Sequence, residues 1–259
     1  MKTRYWRIFG SDGKTVIMAF DHGGGGRIPV DDPGQIISEA VAGGVDAILT
    51  TYGIAKNFRR EMGKAGLLLR IDAGGSALAP SWPPPKTRYA IEDALRLGAD
   101  GLMCMGVVGS EQDPEYMQMA ADIAAACDKW GLVAAGEFTP DTPAYSPDFA
   151  SRPPEKMKVA CRVAAELGLD LIKTQYIPPI EAFRTVVANT YVPIVALGGP
   201  ADPDTAKVLR GVREAMDAGC RGVAMGRNVW SHPNVRGFVT AIRKIVHEDA
   251  DVESALAVM

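Results

Sequence analysis

Histidine is scarce in this chain, with three in 259 residues: His22, His232 and His247. No set of His, Asp or Glu shows metal-ligand spacing, which argues against a zinc-dependent mechanism. Cysteine is scarce as well. Cys104, Cys127, Cys161 and Cys220 lie far apart with no Cys-x-x-Cys, and read as small buried residues of a reducing, cytoplasmic compartment. Charge of one sign is lacking: 28 basic and 31 acidic residues are interspersed, for a net charge of −3. Without a basic stripe or a cationic amphipathic helix, neither a nucleic-acid nor a membrane partner is expected. No apolar run reaches membrane-spanning length, and residues 1–7 lack the apolar core of a signal peptide. Also missing are a Gly-x-Gly-x-x-Gly after the first strand, a Gly-x-Ser-x-Gly elbow and a phosphate-binding Gly-x-x-x-x-Gly-Lys-Ser/Thr loop.

What is present is repetition. Eight short apolar runs read as strands: Val16–Asp21, Val45–Thr50, Leu67–Ile71, Gly101–Val107, Leu132–Glu137, Asp170–Lys173, Pro193–Leu197 and Arg221–Met225. They are nearly continuous in apolar residues, as expected of parallel strands covered on both faces. Helical periods follow them at Pro33–Ala42, Ala55–Gly63, Arg88–Leu97, Pro114–Trp130, Pro153–Leu167, Ile180–Asn189, Pro203–Ala218 and Pro233–His247. Asp32-Pro33, Asp113-Pro114 and Asp202-Pro203 are read as cap-plus-proline starts. Gly44, Gly98, Gly168 and Gly219 supply stops just before the next strand. Eight strand–helix units predict an α/β fold: a single-domain TIM (β/α)8 barrel over 1–259, with a lead-in at 1–14 and a tail at 248–259. A doubly wound open sheet fits less well, for want of the glycine fingerprint. The long segments Ala79–Pro85 and Thr139–Pro154 become loops on the active-site face, expected to help cover substrate.

Lys173 ends the sixth apolar run. Lysine is almost never fully buried unless paired or functional, and desolvation lowers its pKa and makes the amine a nucleophile toward carbonyls. An ion pair or a surface position is the plainer reading. In a barrel, Lys173 would share one mouth with Asp21 at the end of the first strand and Glu137 at the end of the fifth. Asp21 reads equally as a turn-capping aspartate. The glycines 23–26 beside it permit a tight, mobile backbone near a ligand. The seventh and eighth strands end in Gly198-Gly199 and Gly226-Arg227, where barrels often hold phosphate on backbone N–H groups. Arg227 would add a charge-assisted contact. His22, next to Asp21, is a weaker candidate, equally readable as a hydrogen-bonded structural residue.

Four segments, Phe20-Asp21-His22-Gly23, Ile172-Lys173-Thr174, Ala196-Leu197-Gly198-Gly199-Pro200 and Gly226-Arg227-Asn228-Val229-Trp230, resemble the archaeal-type class I fructose-bisphosphate aldolases. That superfamily includes aminodeoxyheptulosonate-type synthases and the thiolase acting on phosphorylated autoinducer-2. The resemblance covers nearly the whole chain. It implies that Lys173 forms a Schiff base with a phosphorylated keto substrate and that Asp21 assists the proton transfers. It further implies that Gly198, Gly199, Gly226 and Arg227 hold the phosphate, that no metal or organic cofactor is needed, and that the protein is a homo-oligomer. Where these aldolases carry a catalytic tyrosine, this chain has Glu137, a general acid/base if partial burial raises its pKa. Tyr145 and Tyr176 are alternative acids. The departure bears on fructose 1,6-bisphosphate as substrate, not on Schiff-base chemistry. The expected activity is thus that of a class I aldolase, a lyase of carbohydrate metabolism. A transaldolase-type synthase or acyl-transferring thiolase on the same lysine is the near alternative. A phosphosugar isomerase or epimerase using Asp21 and Glu137, with Lys173 as a clamp, is the second. A silent binding barrel is a remote third.

Overall fold

Along the first apolar run, Thr15, Ile17 and Ala19 alternate with Val16, Met18 and Phe20, and all six are buried. The two sets part company. Ile17 and Ala19 join a cluster with Ala47, Leu49, Leu68, Met103, Val133, Ala135, Leu171, Val195 and Ala224. Val16, Met18 and Phe20 join the larger cluster that includes the helices. A strand buried on both faces gives up the polar half of its alternation, so its sequence reads as a continuous apolar run.

The computed structural model describes residues 2–27, 30–73, 75–79, 86–140 and 152–259. The strands are β1 (Thr15–Phe20), β2 (Ala47–Thr50), β3 (Gly66–Arg70), β4 (Asp72–Ala73), β5 (Lys86–Thr87), β6 (Gly101–Val108), β7 (Val133–Pro140), β8 (Leu171–Gln175), β9 (Ile194–Leu197) and β10 (Gly222–Met225). Eight of them close in the order β1-β10-β9-β8-β7-β6-β3-β2, every pair parallel. The helices are α1 (Tyr5–Ile8), α2 (Pro33–Gly43), α3 (Tyr52–Asn57), α4 (Ile91–Arg96), α5 (Asp113–Trp130), α6 (Pro154–Glu166), α7 (Ile180–Ala188), α8 (Thr205–Asp217), α9 (Arg227–Trp230), α10 (Val235–Glu248) and α11 (Val252–Leu256). The architecture is the TIM barrel that the repeats predict. No described helix is long and apolar enough to cross a membrane.

Several local expectations need correction. Asp32 does cap α2, accepting from Gln35 N at 3.0 Å. Asp113 is instead the first residue of α5, and Asp204, not Asp202, caps α8 by accepting from Lys207 N at 2.9 Å. The helix expected over Ala55–Gly63 runs from Tyr52 to Asn57. Tyr52 stacks on Tyr89 at 4.5 Å, and the Asn57 amide donates back to Gly53 O, a local bond that competes with helix propagation. Within the lead-in, α1 and the residue after it place Ile8 and Phe9 in the barrel-interior cluster, closing its floor. Burying each side chain contributes roughly 1.5–3 kcal/mol. Thr15 Oγ1 fastens this plug by donating to Ile8 O at 2.6 Å. The tail forms α11, with Ala255 fully buried.

The stops before strands carry a second device. In Gly44-Val45-Asp46, Gly98-Ala99-Asp100 and Gly168-Leu169-Asp170 the glycine is left-handed, with φ of +95°, +72° and +92°. The aspartate two residues on accepts the first free N–H of a neighbouring strand: Val16 N at 2.7 Å, Leu67 N at 2.9 Å and Ala134 N at 2.8 Å. These clamps satisfy backbone donors that the staggered barrel leaves unpaired, and they pin the strands' relative height. The fourth site has Arg221 in place of the acid.

Candidate active site

Inward positions recur every second residue along a strand. From Ile17 and Ala19 the next inward position is Asp21. From Leu68 it is Arg70, from Val133 and Ala135 it is Glu137, and from Leu171 it is Lys173. Four charged groups from four strands therefore converge at the C-terminal mouth, above an apolar floor. Glu137 and Lys173 are register partners on β7 and β8.

Lys173 is 5% exposed, and its Nζ donates to Glu137 Oε2 at 2.9 Å. That same oxygen accepts from Arg70 Nη2 at 2.6 Å. Arg70 Nε donates to Asp21 Oδ2 at 2.8 Å, and its Nη1 stands 3.5 Å from Asp72 Oδ1. Burial alone would push the Asp21 carboxyl up, but Arg70, Lys173 and His22 overcome it and hold Asp21 at about 2. Glu137 is settled in the same way: burial raises it, Lys173 and Arg70 more than offset that, and the net direction is down. Glu137 is thus a carboxylate at rest, contrary to the expectation that burial would raise it. For Asp72 burial wins and its pKa is raised. Its Oδ2 accepts from Met105 N at 2.8 Å, while Oδ1 is buried with no hydrogen-bond donor.

His22 opens a single 3-10 turn, His22–Gly25, so the glycine loop is wound into regular structure, and only Gly26 takes a left-handed φ, +84°. Burial lowers the His22 pKa, Asp21 opposes, and the net direction is down. Its ring meets Trp230 edge-on at 5.6 Å. A Cβ at Gly226 would lie 2.5 Å from His22 Cε1, so only glycine fits there.

Gly198 follows β9, and Gly226 is the N-cap of α9, which starts at Arg227. The Arg227 pKa is lowered, first by burial and then by the nearby charge of Arg27, and its Nε is buried without an acceptor. Asn228 braces the two loops: Nδ2 donates to Gly198 O at 2.8 Å and Pro200 O at 2.9 Å, and Oδ1 accepts from Asp202 N at 2.9 Å. A cavity of about 430 Å³ opens beside them, lined in part by Gly198, Gly199, Lys207 and Asn228. A second of about 430 Å³ is lined by Gly24, Ala73, Gly75, Ser76, Arg88 and Tyr89, beside the loops that follow β1 and β4.

Of the two alternative acids, Tyr145 lies outside the described residues. Tyr176 is not at the mouth. It falls one residue beyond the inward position of Gln175, so its ring faces the helices and meets Phe183 of α7 edge-on at 5.3 Å. Burial pushes its pKa up, away from an acid's working range. The sequence reading also missed Arg70, Asp72 and Asn228. For Arg70 a signal was available, a cation two residues beyond Leu68 in an otherwise apolar strand.

The chain matches the model of the DeoC/LacD family aldolases over residues 15–232. It is 35% identical to a 2-amino-3,7-dideoxy-D-threo-hept-6-ulosonate synthase of Halobacterium salinarum, covering 99% of this chain and 95% of the relative. It is 30% identical to a 2-amino-4,5-dihydroxy-6-oxo-7-(phosphonooxy)heptanoate synthase of Streptomyces griseus, covering 86% and 80%. Among solved structures, a Schiff-base-forming fructose-1,6-bisphosphate aldolase superimposes with a TM-score of 0.83 at 28% identity, covering 94% of this chain and 98% of that one. An archaeal fructose-1,6-bisphosphate aldolase whose catalytic lysine carries a carbinolamine gives the same score, identity and coverage. The barrel, the charged mouth and these likenesses agree, and the chain belongs to the DeoC/LacD family of aldolases.

Proposed function

We propose that the protein is a class I aldolase that makes or breaks a C–C bond through a Schiff base on Lys173. One observation carries the reading: Lys173 is a buried amine at the barrel mouth, in contact with a carboxylate held ionised. In its amine form Lys173 adds to a substrate ketone. Glu137 Oε2, 2.9 Å away, is placed to take the proton that the nitrogen sheds. Returning it to the alkoxide gives the carbinolamine, and a second proton, relayed from solvent by Glu137, lets the hydroxyl leave as water and the iminium form. The iminium accepts the electron pair of the breaking C–C bond as a carboxylate takes the proton of the substrate hydroxyl, so an aldehyde departs and an enamine remains; protonation and hydrolysis then free the ketone product. Asp21, also ionised, is the second carboxylate for these transfers. Such oriented proton transfers contribute about 10²–10⁴-fold.

For the substrate we propose a phosphorylated keto-sugar-like compound, with its phosphate on Gly198, Gly199, Gly226 and Arg227 and His22 nearby. The two named relatives support a direction and a class. Both are synthases of seven-carbon 2-amino acids with a ketone at C6, the kind of carbonyl a lysine can hold. Transfer onto an acceptor aldehyde is therefore the favoured direction, and the acyl-transferring alternative gains nothing from them. The isomerase reading requires one acid and one base. Asp21 and Glu137 are both drawn down, so neither is set apart as the acid of such a pair. The resemblance implies a homo-oligomer, which light scattering would measure.

The test is incubation with dihydroxyacetone phosphate, borohydride reduction, and mass analysis of intact protein and peptides. A stable adduct on the Lys173 peptide is expected. No adduct with this or a small panel of phosphorylated ketoses would overturn the reading.

A further inference from the structure

We propose that Arg70 is the positioning residue of this mouth: one guanidinium that aims Asp21 and Glu137 at Lys173 and holds their carboxyl groups in place through the cycle. The inference rests on the Schiff-base reading of Lys173 and goes beyond it. Arg70 comes from β3, whereas Asp21 follows β1 and Glu137 sits on β7. β1 and β7 are not neighbours in the barrel, and neither pairs with β3, so no backbone hydrogen bond joins the strands of the two acids directly. A side chain spanning the barrel interior joins them. Arg70 contacts them with two different edges of its fork, Nε to Asp21 and Nη2 to Glu137.

A planar, permanently charged fork suits this task for three reasons. It holds two carboxylates at a fixed angle, which a lysine ammonium on a flexible stem does not. It offsets the mutual repulsion that pushes Glu137 up in the presence of Asp21. It also does not titrate. Lys173 and Arg70 share one oxygen of Glu137. When Lys173 gives up its charge to become amine and carbinolamine, Glu137 loses one of its two cationic partners, and the bond from Arg70 keeps the oxygen in place to receive the proton. A merely structural ion pair would not share its acceptor with the reacting amine.

The test compares wild type with Arg70→Ala and Arg70→Lys. Wild type is first assayed for borohydride adduct and for solvent exchange of the carbon-bound protons of dihydroxyacetone phosphate in deuterium oxide. Arg70→Ala is expected to keep the adduct and lose exchange by about a hundredfold, the scale of a mispositioned group. Millimolar guanidinium should restore at least about tenfold of that, and methylammonium should not. Arg70→Lys keeps the charge and the fold but not the fork, and its exchange should stay low. A second readout needs no turnover: the pH dependence of Lys173 labelling by trinitrobenzenesulfonate, read on its peptide. It should shift in both variants, because both lose the fork that fixes the two carboxylates facing the amine. Exchange and labelling profiles like wild type in Arg70→Lys would overturn the proposal, as would equal rescue by methylammonium in Arg70→Ala. If wild type itself forms no adduct, the Schiff-base reading fails, while the labelling profiles still decide the role of Arg70.

Discussion

Glu137 and Lys173 are direct partners across adjacent strands, and the carboxylate oxygen stands 2.9 Å from the amine. The contact is buried, and buried ion pairs are weak evidence for stability because desolvation offsets much of the attraction. Its worth lies in what it does to the lysine and to the proton that leaves it.

Lys173→Met should therefore leave the protein folded, since Glu137 keeps its bond to Arg70 and no buried acid is stranded. Turnover should fall by roughly 10⁴-fold or more, the scale for losing a nucleophile. Circular dichroism checks the fold and borohydride trapping the chemistry. A folded variant with substantial residual turnover would refute the assignment.

Glu137→Gln removes the proton acceptor but not the nucleophile. The Lys173 adduct should still form on long incubation, with turnover down by about 10²–10⁴-fold. Wild-type turnover in this variant would return the acid/base role to another residue, with Tyr145 the first to examine.

How much of this was legible without coordinates depends on parity. The apolar runs announced the strands, and Asp21, Glu137 and Lys173 stood out because each ends a run. Arg70 also ends a run, but the expected strand extended through Ile71 and hid it. What stands opposite Glu137 across the barrel is set by closure of the sheet, which no local pattern records, so the downward pull on its pKa could not be read. Tyr176 was misjudged by a single residue, which in a strand exchanges the two faces. The floor plug was invisible because a four-residue helix has no period to detect.

The aspartate clamps at the barrel floor give a stability prediction. Asp100→Ala leaves Leu67 N without its acceptor at a buried site. Unfolding free energy should drop by about 1–3 kcal/mol. Alanine at exposed Asp31 should change it by less than about 0.5 kcal/mol. Equal effects in denaturant titrations would mean that the clamp contributes nothing.

His247 gives a pH dependence. Its Nδ1 lies 2.9 Å from Asp12 Oδ2 and its Nε2 lies 2.9 Å from Asp46 Oδ2, tying α10 to the barrel floor. The bond to Asp46 raises its pKa first of all, burial opposes, and the bond to Asp12 adds to the rise. A folded-state pKa above the ordinary 6.5 means that the charged ring stabilises the fold. That contribution is full below pH 6.5 and is lost as pH climbs through the raised value. The stability gap between wild type and His247→Ala should therefore narrow with rising pH. A gap that stays constant or widens sinks the idea.

The alternation that gathers Asp21, Arg70, Glu137 and Lys173 has a consequence for how this chain tolerates change. A change of length in a rim loop leaves the inward positions of the strands as they are, because parity is set within each strand. A deletion of one residue inside β1, β3, β7 or β8 turns that strand's charge toward the helices and puts an apolar side chain in the well. Insertions and deletions in descendants of this sequence should therefore collect outside those four strands, while substrate preference drifts through the rim loops above them.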